Sequence, residues 1–247
     1  MKRQEIRETK FVRQALSLAE VVFASVACPI GEIVGAPGTG KSCAARLVVE
    51  RLPRATRVVA WDGMSKFQMA REVAVVLGFD GSGSVERMLA SRVDADPDTR
   101  SLLVVDEANK LSWRVLELLR YLSDECNVAV LLVGTEMYSR QFASARTRDL
   151  LLQLGSRIGA KRCQFSHLDR SDTYSHAIRP RFGDVQDKEL VTRFWTVARR
   201  GNLRECMELG DECERIMAAN GVGTLTPAVL DVAAKWMANR VCGGSES

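Results

Sequence analysis

The stretch Gly35-Ala36-Pro37-Gly38-Thr39-Gly40-Lys41-Ser42 narrows what this chain can fold into more than any other. It fits G-x-x-x-x-G-K-[ST], a loop that requires a strand before it and a helix after it. Residues 30–34 read as a buried strand leading in. Residues 42–51 keep helical spacing, with no breaker until Pro53. A chance glycine-rich turn would match the four fixed positions without that context. The glycines let the backbone curl so that successive N–H groups face an anion. The following helix adds the positive end of its dipole. Gly35, Ala36, Pro37, Gly38, Thr39, Gly40, Lys41, Ser42 and Cys43 are therefore the candidate polyphosphate cradle. Lys41 would reach the β- and γ-phosphates, and the Ser42 hydroxyl would ligate Mg²⁺.

Around this loop the chain alternates between strand and helix. Residues 57–61, 101–105 and 128–133 are short apolar runs, and residues 161–165 read as a fifth, edge-like strand. Helical spacing covers 9–27, 65–77 (Ser65 as cap), 84–93, 112–124 (Ser112 as cap) and 146–154. Apolar strands alternating with helices predict an α/β fold, a five-stranded parallel sheet flanked by helices on both faces. After Phe165 no strand-like run returns. Helical spacing continues over 169–178, 187–198, 203–219 and 227–240, with residues 179–183 as a loop. Asn202 and Thr226 fit N-caps, and Pro227 fits a first helical turn. The expected division is an α/β domain over 1–166, a small all-helical domain over 167–241, and a disordered tail over 242–247.

The composition bounds the rest. A hydrophobic content of 46% and a charged content of 27% suit a globular protein. No apolar run reaches the ~18 residues of a membrane span, and residues 1–10 lack a signal-peptide core. The expectation is a cytoplasmic protein with no membrane partner. Seven cysteines and two histidines show no metal-site spacing, so the thiols read as reduced and mostly buried. The net charge of +4 says little about nucleic acid by itself. Between Arg140 and Arg162, six basic residues (Arg140, Arg146, Arg148, Arg157, Lys161, Arg162) face one acid, Asp149. A solvated helix face and a charged interface both fit that run.

Leu102-Leu103-Val104-Val105-Asp106-Glu107 carries a second nucleotide signature. A carboxylate at the end of a buried strand can hold Mg²⁺ beside Ser42, and this is Asp106. The next carboxylate, Glu107, can orient and deprotonate an attacking water. The spacing fits a sheet in which the two motif strands are neighbours although another strand intervenes in sequence. The strand over 128–133 should lie beside the phosphate-loop strand. It ends in Gly134-Thr135, which puts Thr135 near the γ-phosphate, or makes it the cap of a following helix.

The order of the 35–42 loop, Asp106-Glu107, Thr135, Arg157 and Gly201-Asn202-Leu203-Arg204 resembles the AAA+ ATPase superfamily across about residues 9–240. The resemblance implies ATP and Mg²⁺ as cofactors, a P-loop AAA+ domain followed by a helical lid, and ATP hydrolysis that is slow and depends on assembly. It places Thr135 at the sensor-1 position and Arg157, in Leu154-Gly155-Ser156-Arg157-Ile158, at the arginine finger. Arg204 falls at sensor 2. Arg146, Arg148 and Arg162 are rival fingers. Such a finger neutralises charge on the γ-phosphoryl group of a neighbouring subunit.

Within AAA+, the details are most similar to the transposition regulators of the phage Mu B type and related transposon target-selection ATPases. The features are the helix leading into 31–35, the run Val104-Val105-Asp106-Glu107-Ala108-Asn109-Lys110-Leu111, and Leu131 to Thr135. That resemblance implies a self-assembled ring or helical filament on duplex DNA without sequence specificity, and a transposase as partner. Phage Mu B carries an extra N-terminal DNA-binding domain; the few residues before Thr9 lead to the expectation that this contact is missing here. Phosphate contacts would then fall to cations such as Lys66, Arg71, Arg87, Arg92 and Lys110. The four tryptophans, Trp61, Trp113, Trp195 and Trp236, read as core rather than base-stacking residues. A different reading is an AAA+ ATPase acting on protein partners, in signalling or secretion, with no DNA role. A nucleotide-gated scaffold with little turnover is a third.

Overall fold

The structure, a computed structural model, describes residues 8–79, 91–92, 99–135 and 145–242, with the side chains of 145–151 and 239–242 left aside. The predicted helix over 84–93 lies almost wholly outside them. The described residues form two compact units. One comprises the chain up to Pro37 together with Lys41–Phe165; the other comprises Gly38–Gly40 together with the chain from Ser166 onward.

The first unit is built on five parallel strands: β1 (Ile30–Gly35), β2 (Ala55–Val59), β3 (Ser101–Asp106), β4 (Val128–Gly134) and β5 (Arg162–Phe165), in the order β2-β3-β4-β1-β5. The predicted α/β class and parallel sheet are therefore seen. The expectation that the two motif strands are neighbours is not, because β4 lies between β1 and β3. β4 does lie beside the phosphate-loop strand, pairing Val34 with Gly134.

The central strands are buried along nearly their whole length. This is why they read as continuous apolar runs rather than alternating ones. Successive residues nevertheless serve opposite faces. Ile30, Val58, Leu103, Val105, Val128, Val130 and Leu132 join the core formed with α3 (Lys66–Val76), α4 (Trp113–Glu125) and α5 (Ala145–Ile158). The alternate residues, among them Arg57, Val104 and Asp106, belong to the other face, against which α1 (Lys10–Ala24) and α2 (Lys41–Arg51) pack.

Local signals start these helices. Thr9 caps α1, its hydroxyl accepting from Val12 N at 3.3 Å. Phe11, Val12, Ala15, Ala19 and Val22 then form the buried stripe that helical spacing requires. Ser65 and Gln68 make a reciprocal capping box at the start of α3. Ser112 stands at the N-cap of α4 without a side-chain bond. α5 runs beyond the predicted 146–154, so Arg157 lies in its last turn rather than after it.

In the second unit, the predicted helix over 169–178 is broken into α6 (Arg170–Thr173) and a five-residue π-helical turn, Tyr174–Ile178. Residues 179–183, predicted as a loop, mostly form the short helix α7 (Arg179–Phe182), with Pro180 in its first turn and Gly183 after its end. Proline has no N–H to lose there, so it starts a helix as readily as it breaks one. α8 (Lys188–Val197), α9 (Leu203–Asn220) and α10 (Pro227–Cys242) follow. Ile178, Leu190, Phe194, Cys206, Leu209, Cys213 and Leu230 form their shared core. Cys242, predicted to belong to the tail, ends α10, and residues 243–247 lie outside the described range.

One glycine fixes the entry to α9. Gly201 has φ +85°, and a Cβ there would sit 1.9 Å from the Leu168 carbonyl oxygen. That oxygen also accepts from the Trp195 indole at 2.9 Å. No other residue satisfies both the backbone conformation and the space.

Candidate functional site

The phosphate loop leaves β1 at Gly35 and enters α2 at Lys41. Gly38 and Gly40 take φ of +78° and +96°, which lets the chain reverse without a strained side chain. The Lys41 ammonium is buried and donates to the Gly35 and Ala36 carbonyl oxygens, both at 2.8 Å. Ser42 stands one residue into α2, which packs across β1, β2, β3 and β4. That crossing carries its hydroxyl past the intervening strand to donate to Asp106 Oδ1 at 3.2 Å. Cys43, the last residue of the predicted cradle, is half-buried.

Asp106 is held at both carboxylate oxygens, and only 3% of its side chain is exposed. Oδ1 also accepts from Glu107 N at 3.0 Å, and Oδ2 accepts from Arg57 Nη2 at 2.6 Å. Glu107 then adopts a left-handed backbone, φ 59° and ψ 32°, uncommon for a residue with a side chain. The turn ends the strand at once. Two adjacent carboxylates thus enter different environments, Asp106 buried and Glu107 with 40% of its side chain exposed. Lys110 Nζ lies 3.6 Å from Glu107 Oε2.

Asn109, on the short 3₁₀ turn Ala108–Lys110, accepts through its side-chain oxygen from Thr135 N at 3.1 Å. Gly134 leaves room for it, since a Cβ there would come within 2.9 Å of Asn109 Oδ1. The Thr135 hydroxyl is buried and has no hydrogen-bond partner among the described residues. A buried hydroxyl left over in this way is the kind of group an incoming oxyanion can satisfy.

The other predicted site residues are more dispersed. Arg157 donates through Nε to Asp124 Oδ1 and Oδ2 at 2.7 and 3.0 Å and through Nη1 to Gln153 O at 3.3 Å. The Asp124 hydrogen bond holds its pKa above the usual arginine value. Arg162, a rival finger, pairs instead with Glu32 on its own sheet. Arg140 and the side chains of Arg146 and Arg148 lie outside the described residues. Arg204 is exposed in the first turn of α9; its backbone N–H donates to Gly38 O at 3.2 Å within the second unit. Asn202 caps that helix, accepting from Glu205 N at 3.3 Å.

Among the predicted DNA contacts, Lys66 and Arg71 are exposed on α3, and Arg87 lies outside the described residues. Arg92 is engaged with Thr99 O and Ser101 Oγ at 3.3 and 3.2 Å. Lys110 is the partner of Glu107. The six cysteines whose side chains are described form no disulfide, and four of them are buried. Burial pushes the Cys206 and Cys213 thiols up to about 12.

Sequence reasoning passed over Arg57, Asn109 and Glu32. Arg57 interrupts a short strand and becomes meaningful only once β2 is registered against β3, with Val59 opposite Asp106. Asn109 sits beside the Asp106-Glu107 pair, yet its role depends on where β4 ends.

The donors at Ser42 and Asp106 fit Mg²⁺. One hydroxyl and one carboxylate are hard oxygen ligands, and Mg²⁺ takes few of these from protein while keeping waters and substrate phosphates. Among the described residues no group of three or more His, Cys, Asp or Glu could hold a metal ion alone. No described helix is long and apolar enough to cross a membrane.

A parallel sheet in this order, a phosphate loop at the end of its inner strand β1 and an Asp-Glu pair at the end of β3 define a P-loop ATPase of the AAA+ class. Comparison with known proteins agrees: the AAA domain family matches residues 26–142. The chain is 26% identical over 200 residues to the Mu-like prophage FluMu DNA transposition protein B of Haemophilus influenzae, spanning 78% of this chain and 67% of that protein. It is 29% identical to the ATP-dependent target DNA activator B of Escherichia phage Mu, across 74% of this chain and 59% of the phage protein. Among solved structures, the ORC2 protein of Aeropyrum pernix superposes with a TM-score of 0.72 at 15% identity, covering 95% of this chain and 70% of that one. The AAA domain match and the similarity to transposition proteins of the Mu B type together support an AAA+ ATPase of that type.

Proposed function

We propose that this chain binds Mg²⁺·ATP through residues 35–43, assembles with itself on duplex DNA without sequence choice, and regulates transposition by recruiting or stimulating a transposase. The observation that carries the nucleotide half is the Ser42 hydroxyl 3.2 Å from the buried Asp106 carboxylate, with Glu107 leaving the strand beside it. The DNA half rests on similarity to proteins named for DNA transposition and for activating target DNA. In this reading residues 1–166 act as the nucleotide-binding domain and 167–241 as a lid, in the cytoplasm of a bacterial or phage-infected cell.

The residues divide the work. Lys41 and the loop N–H groups bind the phosphates. Ser42 and Asp106 hold Mg²⁺, which when bound neutralises charge on the phosphoryl oxygens. Glu107, the more exposed of the two carboxylates, takes the proton of the attacking water. Thr135 offers its free hydroxyl to that water or to the γ-phosphate. Arg157 acts on the nucleotide of a neighbouring subunit, and Arg204 senses the nucleotide from the lid. Turnover is therefore slow in the free protein and rises on assembly. Lys66 and Arg71 are the foremost DNA contacts; Arg92 and Lys110 must first leave their present partners.

Glu107→Gln tests the catalytic half. The variant is expected to bind a fluorescent ATP analogue normally and to lose roughly 100-fold or more of its turnover. Unchanged turnover removes Glu107 from catalysis. Duplex DNA is expected to stimulate the wild-type ATPase, and electron microscopy should show filaments or rings only with ATP and DNA together. ATPase activity indifferent to DNA, with no such assemblies, favours action on protein partners instead.

A further inference from the structure

Asp106 presents a problem that its motif does not solve. Its carboxylate is buried, and two of its contacts, from the Ser42 hydroxyl and the Glu107 N–H, come from neutral donors. Among the described residues, the charged group in contact with it is the Arg57 guanidinium, Nη2 to Oδ2 at 2.6 Å. Arg57 is itself mostly buried, with 22% of its side chain exposed, and its buried Nε–H has no hydrogen-bond partner among the described residues. The pair follows from register. Val59 lies opposite Asp106 on neighbouring parallel strands, and Arg57, two residues earlier, shares its face.

We propose that Arg57 is a positioning residue that makes this site refuse a bare divalent cation and accept the metal only as a metal–triphosphate complex. The proposal rests on reading Ser42 and Asp106 as the metal–nucleotide site. A buried carboxylate without a cation is costly, so Arg57 offsets that cost and holds Asp106 in place before any ligand arrives. The same guanidinium opposes a second cation. A bare divalent ion at Asp106 would lie beside a fixed positive charge in a poorly solvated place, where repulsion is only weakly screened. A triphosphate brings enough negative charge to reverse that balance. It also brings oxygens for the unused Nε–H of Arg57.

Mn²⁺ is the probe, titrated into the nucleotide-free full chain and followed by the electron paramagnetic resonance signal of the free ion. Arg57→Met, which keeps bulk and removes charge, is expected to bind Mn²⁺ about tenfold or more tighter than wild type. Arg57→Lys should stay close to wild type, and Arg57→Met with Asp106→Asn should lose the gain. Equal Mn²⁺ affinity in wild type and Arg57→Met overturns the proposal.

Thermal unfolding without nucleotide covers the case in which Arg57→Met folds poorly. Its Tm should fall and should recover in the double variant, which removes both charges; a double variant no more stable than Arg57→Met also overturns the proposal. Binding of a fluorescent ATP analogue to wild type in Mg²⁺ tests the underlying reading separately. Its failure would dismiss the nucleotide site, whereas the Mn²⁺ titration judges Arg57 alone.

Discussion

Glu32 shows how much a single residue on a central strand can hide. It lies on β1 immediately before the phosphate loop, buried, with Oε1 paired to Arg162 and Oε2 lacking any hydrogen-bond partner among the described residues. Burial raises its pKa above the ordinary 4.5, and the charge and hydrogen bond of Arg162 only partly oppose this. The folded protein therefore holds the Glu32 proton more tightly than the unfolded chain does. The stability this contributes is complete below about 4.5 and is lost as pH rises through the folded pKa. Glu32→Gln keeps the size of the side chain and an acceptor for Arg162 but cannot ionise. Its urea midpoint relative to wild type should thus rise from pH 5 to pH 8; a constant difference would show that Glu32 does not titrate in this range. Nothing in the sequence marks this behaviour. Lys41, Ser42 and Asp106 are legible because each stands at a fixed offset within a motif, whereas Glu32, Arg57 and Asn109 acquire partners only through strand register.

Elements were more legible than their partners. β3 and β4 are read easily because strands buried on both faces must be apolar at every position. β2 is harder, since an edge strand carrying Thr56 and Arg57 lacks that uniformity, and it begins at Ala55 rather than at Arg57. The break within 169–178 could not be read, because a single turn of i→i+5 bonds is too short to leave a periodic signal of its own. Caps were partly legible. Asn202 and Thr226 were recognised, and the Thr226 hydroxyl accepts from Val229 N at 3.3 Å. Asp187 does the same for α8, accepting from Glu189 N and Leu190 N at 2.9 and 3.1 Å. Asp187→Ala removes both bonds and a negative charge from the helix N-terminus, and should destabilise the fold by about 1 kcal/mol in urea unfolding. Asp187→Asn, which keeps the acceptor, should recover most of that loss; equal loss in both variants would trace the effect to charge alone.

At the scale of the whole molecule, the role proposed for Arg157 is one that a second copy of the chain must complete, since a finger acts on a neighbour's nucleotide. Arg157 is held in the last turn of α5 by both oxygens of Asp124, and Asp124 also pairs with Arg120 at 2.6 Å, so its guanidinium has a set orientation before any neighbour arrives. Arg162, the rival in the same basic run, is likewise paired within its own chain, with Glu32. If Arg157 serves a neighbour in trans, Arg157→Ala should bind ATP normally yet lose the turnover that appears on assembly. Glu107→Gln should bind ATP and assemble yet lose hydrolysis at its own site while keeping a working finger. Each variant alone is then inactive, and an equal mixture regains activity, because Glu107→Gln subunits present Arg157 to intact sites on their neighbours. Random mixing makes about a quarter of the interfaces complete, so recovery should approach about a quarter of wild-type turnover per subunit. A mixture as inactive as its components would place Arg157 among the residues that only support α5. The rivals Arg146 and Arg148 would then be tested by the same mixing experiment.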